Sequence, residues 1–156
     1  MATLGTWIGT TLALGALIFT ALTYFNRRGQ SRIEYVTMTM RRILPGRVAQ
    51  ELEVVHGGSR VNEPALTVLR LVSVGDAAIR PEDFESDLKV TLEGAREVVS
   101  ASWTANRPTD LDPTLEVQGV EVLVSPHVFN PGDMLELQVI SSGPPRTVGV
   151  TGRVAD

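Results

Sequence analysis

The 156-residue chain has no cysteine, which excludes disulfides and thiolate metal sites and leaves the redox compartment undefined. Histidine is almost as scarce. The two present, His56 beside Gly57 and Gly58 and His127 after Ser125 and Pro126, read as solvated loop residues. No serine stands in a nucleophile-elbow pattern and no glycine-rich phosphate loop opens a helix, so the familiar hydrolase and nucleotide motifs are missing. There is no fixed-period repeat or low-complexity tract; the 14 glycines and 9 prolines are spread as punctuation. Hydrophobic residues make up 43% and charged residues 21%, a composition that supports a packed core in one ordinary domain with a short accessory segment.

Charge is absent from residues 1–25 altogether. Residues 26–47 then carry Arg27, Arg28, Arg32, Arg41, Arg42 and Arg47 against Glu34 alone, a net +5. Residues 48–156 hold eight basic and 17 acidic side chains, a net −9. So acidic a region is a poor partner for phosphates, and no nucleic acid is expected. Residues 4–25, as an α-helix, would be about 33 Å long against a hydrocarbon core of about 30 Å. Trp7 and Tyr24 would sit at its two interfaces, and the arginines that follow mark the cytoplasmic side. A cleaved signal peptide would need its positive residues before the apolar run, whereas here Arg27, Arg28 and Arg32 come after it. The sequence therefore predicts a single-pass inner-membrane anchor over residues 1–25, N-terminus outside and the C-terminal domain cytoplasmic. Residues 26–47 form a basic juxtamembrane linker and first strand, and residues 48–156 an acidic β-domain.

At 100° per residue, Gly5, Gly9, Ala13, Ala16, Thr20 and Thr23 fall on one side of that predicted helix, and the first pair is a GxxxG. A stripe of small residues lets backbones approach closely, so it is the expected helix–helix interface with another copy or a partner membrane protein. The arginines Arg27, Arg28 and Arg32 are expected to set topology, with anionic headgroups as a further partner.

After residue 33 the period becomes two. In DLKVTLE, Leu88, Val90 and Leu92 alternate with polar residues, and MLELQVI repeats the pattern with Leu135, Leu137 and Val139 inward. Similar runs cover 34–40, 50–55, 66–74, 97–104 and 147–154. In TLEVQGVEVLV the apolar phase switches, which predicts a bulge or tight turn at Gln118 and Gly119. Pro131 and Gly132 in FNPGD suit a type II turn, and Pro81 the start of a short helical turn. About eight short strands and no long amphipathic helix argue for an all-β antiparallel sandwich behind the anchor.

The succession LRLVSVGDAAIRPEDFE, then VSPHVFNPGDMLELQV, resembles immunoglobulin-like β-sandwich domains of bacterial surface and membrane proteins, over about residues 49–154. More narrowly, it is similar to small bacterial proteins with one N-terminal span and such a domain. The resemblance implies an immunoglobulin-like fold and little about activity.

Two acidic runs, Glu82, Asp83, Glu85 and Asp87, then Asp110 and Asp112, offer oxygen ligands. Neither has EF-hand spacing, and both are expected to be solvated turn carboxylates, so no metal and no cofactor are predicted. The leading functional expectation is a non-enzymatic, membrane-anchored binding or scaffold module that self-associates or pairs with a partner through its helix. Edge strands or the loop at 106–113 would be its contact sites. The alternatives are an oligomerising membrane effector or complex subunit, as in bacterial defence or stress, and an enzyme of unknown type.

Overall fold

A computed structural model describes residues 31–43 and 54–154 of the chain. Ten strands run through them: β1 (Ser31–Arg42), β2 (Val54–His56), β3 (Ser59–Val61), β4 (Pro64–Gly75), β5 (Phe84–Glu93), β6 (Glu97–Arg107), β7 (Leu115–Gln118), β8 (Glu121–Val124), β9 (Met134–Ser142) and β10 (Thr147–Val154). Eight of them form two four-stranded antiparallel sheets, ordered β1-β4-β9-β6 and β10-β5-β8-β7, while β2 and β3 make a separate hairpin.

The period-two pattern is what divides the sheets' faces. Along β4, Ala65, Thr67, Leu69, Leu71 and Ser73 are buried, and the residues between them are half-buried. On β9, Leu135, Leu137, Val139 and Ser141 point the same way. The second sheet answers with Leu88, Val90 and Leu92 from β5 and Val122 and Val124 from β8, so the two inner faces share one hydrophobic core. Burying a leucine of this kind contributes about 1.5–3 kcal/mol. Ile79 and Phe129 close one end, with reciprocal backbone bonds of 2.8 and 2.9 Å across an isolated bridge.

Turn chemistry sets the connections. Gly119 has φ +62° at the first position of the two-residue β7–β8 turn, where a side chain would be strained, and the Gln118–Glu121 pair closes it. Gly132 has φ +87°, and Asp133 N–H donates to Asn130 O at 3.0 Å, the pattern of the type II turn expected there. Pro81–Asp83 is a single 3-10 turn, in which Arg80 N–H donates to Asp83 Oδ2 at 2.7 Å.

The fold class expected from the sequence is corrected. The described residues are all-β, and no helix among them is long and apolar enough to cross a membrane; the finding concerns helices alone. The described residues alternate with period two, and that pattern builds strands rather than a helix. The residues assigned to that span, with Gly5, Gly9, Ala13, Ala16, Thr20 and Thr23, and the neighbouring Arg27 and Arg28, lie outside the described residues. Arg32 lies in β1, where it is a strand residue. The antiparallel, sandwich-like part of the expectation holds. Strand β1 pairs along its whole length with β4 and belongs to the same compact unit, Ser31–Asp156.

Candidate functional site

Eight large hydrophobic side chains are exposed among the described residues, and five of them lie on β1 or directly after it: Tyr35, Val36, Met38, Met40 and Ile43. Their exposures run from 42% to 57%, so their concentration on one strand is more than the scattering normal for a surface. β1 is an outermost strand of its sheet, and its other side faces no strand among the described residues.

Register assigns each β1 side chain to a face. Ile33, Tyr35 and Thr37 stand opposite Ser73, Leu71 and Leu69 on the inner face; Arg32, Glu34 and Val36 stand opposite Val74, Val72 and Arg70 on the outer one. Met38 is an inserted residue between Thr37 and Thr39, and the phase changes there. Beyond it Met40 and Arg42 face inward, and Thr39 and Arg41 outward. Tyr35 and Met40 are thus inner-face residues that the second sheet leaves 42% exposed, because β1 overhangs the core.

The backbone phase follows from one bond. Ile43 N–H donates to Pro64 O at 2.8 Å, so Ile43 faces β4 and its neighbours alternate. The register then gives the ladder bonds with β4 to Arg32, Glu34, Val36, Thr39 and Arg41. The N–H and C=O of Ile33, Tyr35, Met40 and Arg42 point to the side on which no strand stands among the described residues. Such a row is a template for another strand.

Charge on the edge is uneven. Arg32 and Glu34 form an ion pair on the outer face, and Arg41 and Arg42 are exposed without a carboxylate partner among the described residues. Alongside, the outer face of β4 presents Leu66, Val68, Val72 and Val74 half-buried, interrupted by Arg70, whose guanidinium meets Glu136 at 3.0 Å.

The other sequence candidates are placed as follows. Asp83 caps the 3-10 turn, Glu82 lies 3.9 Å from Arg80, and Glu85 pairs with Arg153 at 3.3 Å. Asp87, Asp110 and Asp112 are exposed, and no group of three His, Asp or Glu side chains among the described residues could hold a metal ion. His56 ends β2, exposed, and His127 stands edge-on to Phe129 at 6.4 Å between ring centroids. The loop after β6 is pinned rather than open: Trp103 Nε1 donates to Pro113 O at 2.8 Å and Asn106 Nδ2 to Leu111 O at 2.6 Å. Sequence reasoning missed Tyr35, Val36, Met38 and Met40. The available signal was IEYVTMTM, which carries apolar residues in both phases and so cannot hide them all on one face.

No protein-family model and no curated protein matches the chain. Among solved structures, an exo-β-N-acetylglucosaminidase from Vibrio harveyi is similar at a TM-score of 0.39 and 10% identity, covering 81% of this chain and 17% of that one. A likeness that low carries neither fold nor activity to this chain.

Proposed function

We propose that the chain is a non-enzymatic binding module that, in the manner of immunoglobulin-like domains, uses its sandwich as a rigid support and recognises protein through the edge of β1. The observation that supports this reading is the coincidence, on one strand, of edge amides that meet no strand among the described residues with exposed Tyr35, Val36, Met38 and Met40. Backbone groups on such an edge give affinity to any extended segment, and side chains on alternate sides select which one. Apolar residues are costly to leave in water on an edge, where natural sheets place charge or proline. Their presence on β1 is accounted for by a partner strand.

The test is a photo-activated crosslinker placed singly at Tyr35, Met38 or Met40 in the full-length chain, in cells. Ser102 on β6 and Val117 on β7 serve as exposed controls. Protein adducts at the β1 positions and none at the controls are expected. Adducts that are absent, or equally frequent at all five positions, contradict the reading.

A further inference from the structure

We propose that the strand added to the β1 edge is β1 of a second copy of this chain, paired antiparallel about a two-fold axis with Glu34 of each copy opposite Arg41 of the other. This rests on reading β1 as the working edge. The phase change at Met38 is what allows it. Outer-face residues before the insertion (Arg32, Glu34, Val36) meet outer-face residues after it (Thr39, Arg41) in an antiparallel self-pair, and the edge-facing amides meet edge-facing amides.

Among registers that set the residues before Met38 against those after it, three place Glu34 opposite a residue of its own face: Thr39, Arg41 or Ile43. The first sets Arg32 against Arg41, two like charges on one face. The third leaves the strand's carboxylate against Ile43. The middle one makes the Glu34–Arg41 contact twice by symmetry, between an arginine that has no carboxylate partner among the described residues and the carboxylate of a strand otherwise basic. It also lays Tyr35 over Met40 in a hydrogen-bonding pair and Val36 beside Thr39 in a non-hydrogen-bonding one. The β1-β4-β9-β6 sheets of the two copies then become one continuous sheet.

The absence of cysteine gives a clean test in the full-length chain. Val36→Cys in one tagged copy and Thr39→Cys in another are co-expressed and oxidised in the cell. Cα atoms in a non-hydrogen-bonding pair stand about 4.5 Å apart, within disulfide reach. The mixed disulfide is expected, with little Val36→Cys homodimer, since those positions are offset along the strand. In parallel, Glu34→Arg alone and Arg41→Glu alone should each weaken self-association about tenfold, and mixing the two variants should restore it. Circular dichroism of each variant confirms that it folds.

No mixed disulfide, or a Val36→Cys homodimer formed equally well, overturns the register. Variants that fail to complement overturn the charge assignment. Crosslinks from β1 to a different protein, with no disulfide between copies, overturn self-pairing and leave the binding edge in place.

Discussion

Strands β1 and β6 flank the same sheet, and their outer sides are finished differently. β6 carries two irregularities, at Val99 and Thr104, and its exposed residues include Ser102, Thr104 and Ala105 but no large hydrophobic. Val98 N–H donates to Gly119 O at 2.6 Å, so the start of β6 is fastened to the turn of the opposite sheet. Its far end is tied by Trp103 and Asn106 to the loop that follows. Bulges, polar side chains and a covering segment are the usual protections of a sheet edge. β1 has one inserted residue, Met38, and four further exposed apolar residues on it or directly after it, with Arg41 and Arg42 at one end. The contrast lies within one sheet and over one core, so it is a property of the strands themselves.

The comparison breaks most severely if the support common to both edges is removed. Leu137 on β9 is fully buried opposite Trp103. Leu137→Ala should destabilise the fold by about 2–5 kcal/mol, measured by urea denaturation of the full-length chain. An effect below about 1 kcal/mol would mean that the core is not shared as described.

Next is the double variant Tyr35→Lys with Met40→Lys, which puts charge on the two edge-facing, exposed apolar positions of β1. It should abolish self-association in sedimentation analysis while moving folding stability by no more than about 1 kcal/mol. Ser102→Lys on β6 should change neither. Equal behaviour of the two edges would erase the distinction between them.

Smaller effects sharpen it. Trp103→Phe removes the indole donor to Pro113 and should cost about 1 kcal/mol, with faster proteolysis of the loop after β6. On β4, Thr67 is fully buried opposite Met40, and its hydroxyl has no hydrogen-bond partner among the described residues. Thr67→Val keeps the branched shape and removes the unpaired group, so it should raise stability by up to about 1 kcal/mol in the same denaturation assay.

The legible parts of this fold were local. Alternation in DLKVTLE and MLELQVI identified the inner faces of β5 and β9, because a half-buried strand must alternate. The phase switch at Gln118 and Gly119, the Pro131–Gly132 dipeptide and Pro81 all mark turns found in the structure, since each is tied to a backbone conformation of its own residue. The order of strands within a sheet has no such local signature. That β1 ends at an edge, and that β6 is stapled to the opposite sheet while β1 is not, depends on pairings across the whole domain. The same limit explains the contact surface: residues 34–40 read only as one strand among several, and nothing local marks the side on which no neighbour stands among the described residues. The expected fold class is corrected only to what the described residues show, which is all-β with no helix long and apolar enough to cross a membrane.

Hydrogen exchange at individual amides of the full-length chain tests the central claim most directly. If a second β1 closes the edge, the Tyr35 and Met40 amides exchange as slowly as the ladder amides of Val36 and Arg41 at concentrations where the pair forms, and accelerate on dilution. Fast exchange of Tyr35 and Met40 at every concentration, with Val36 and Arg41 protected, would show an edge that no second copy occupies.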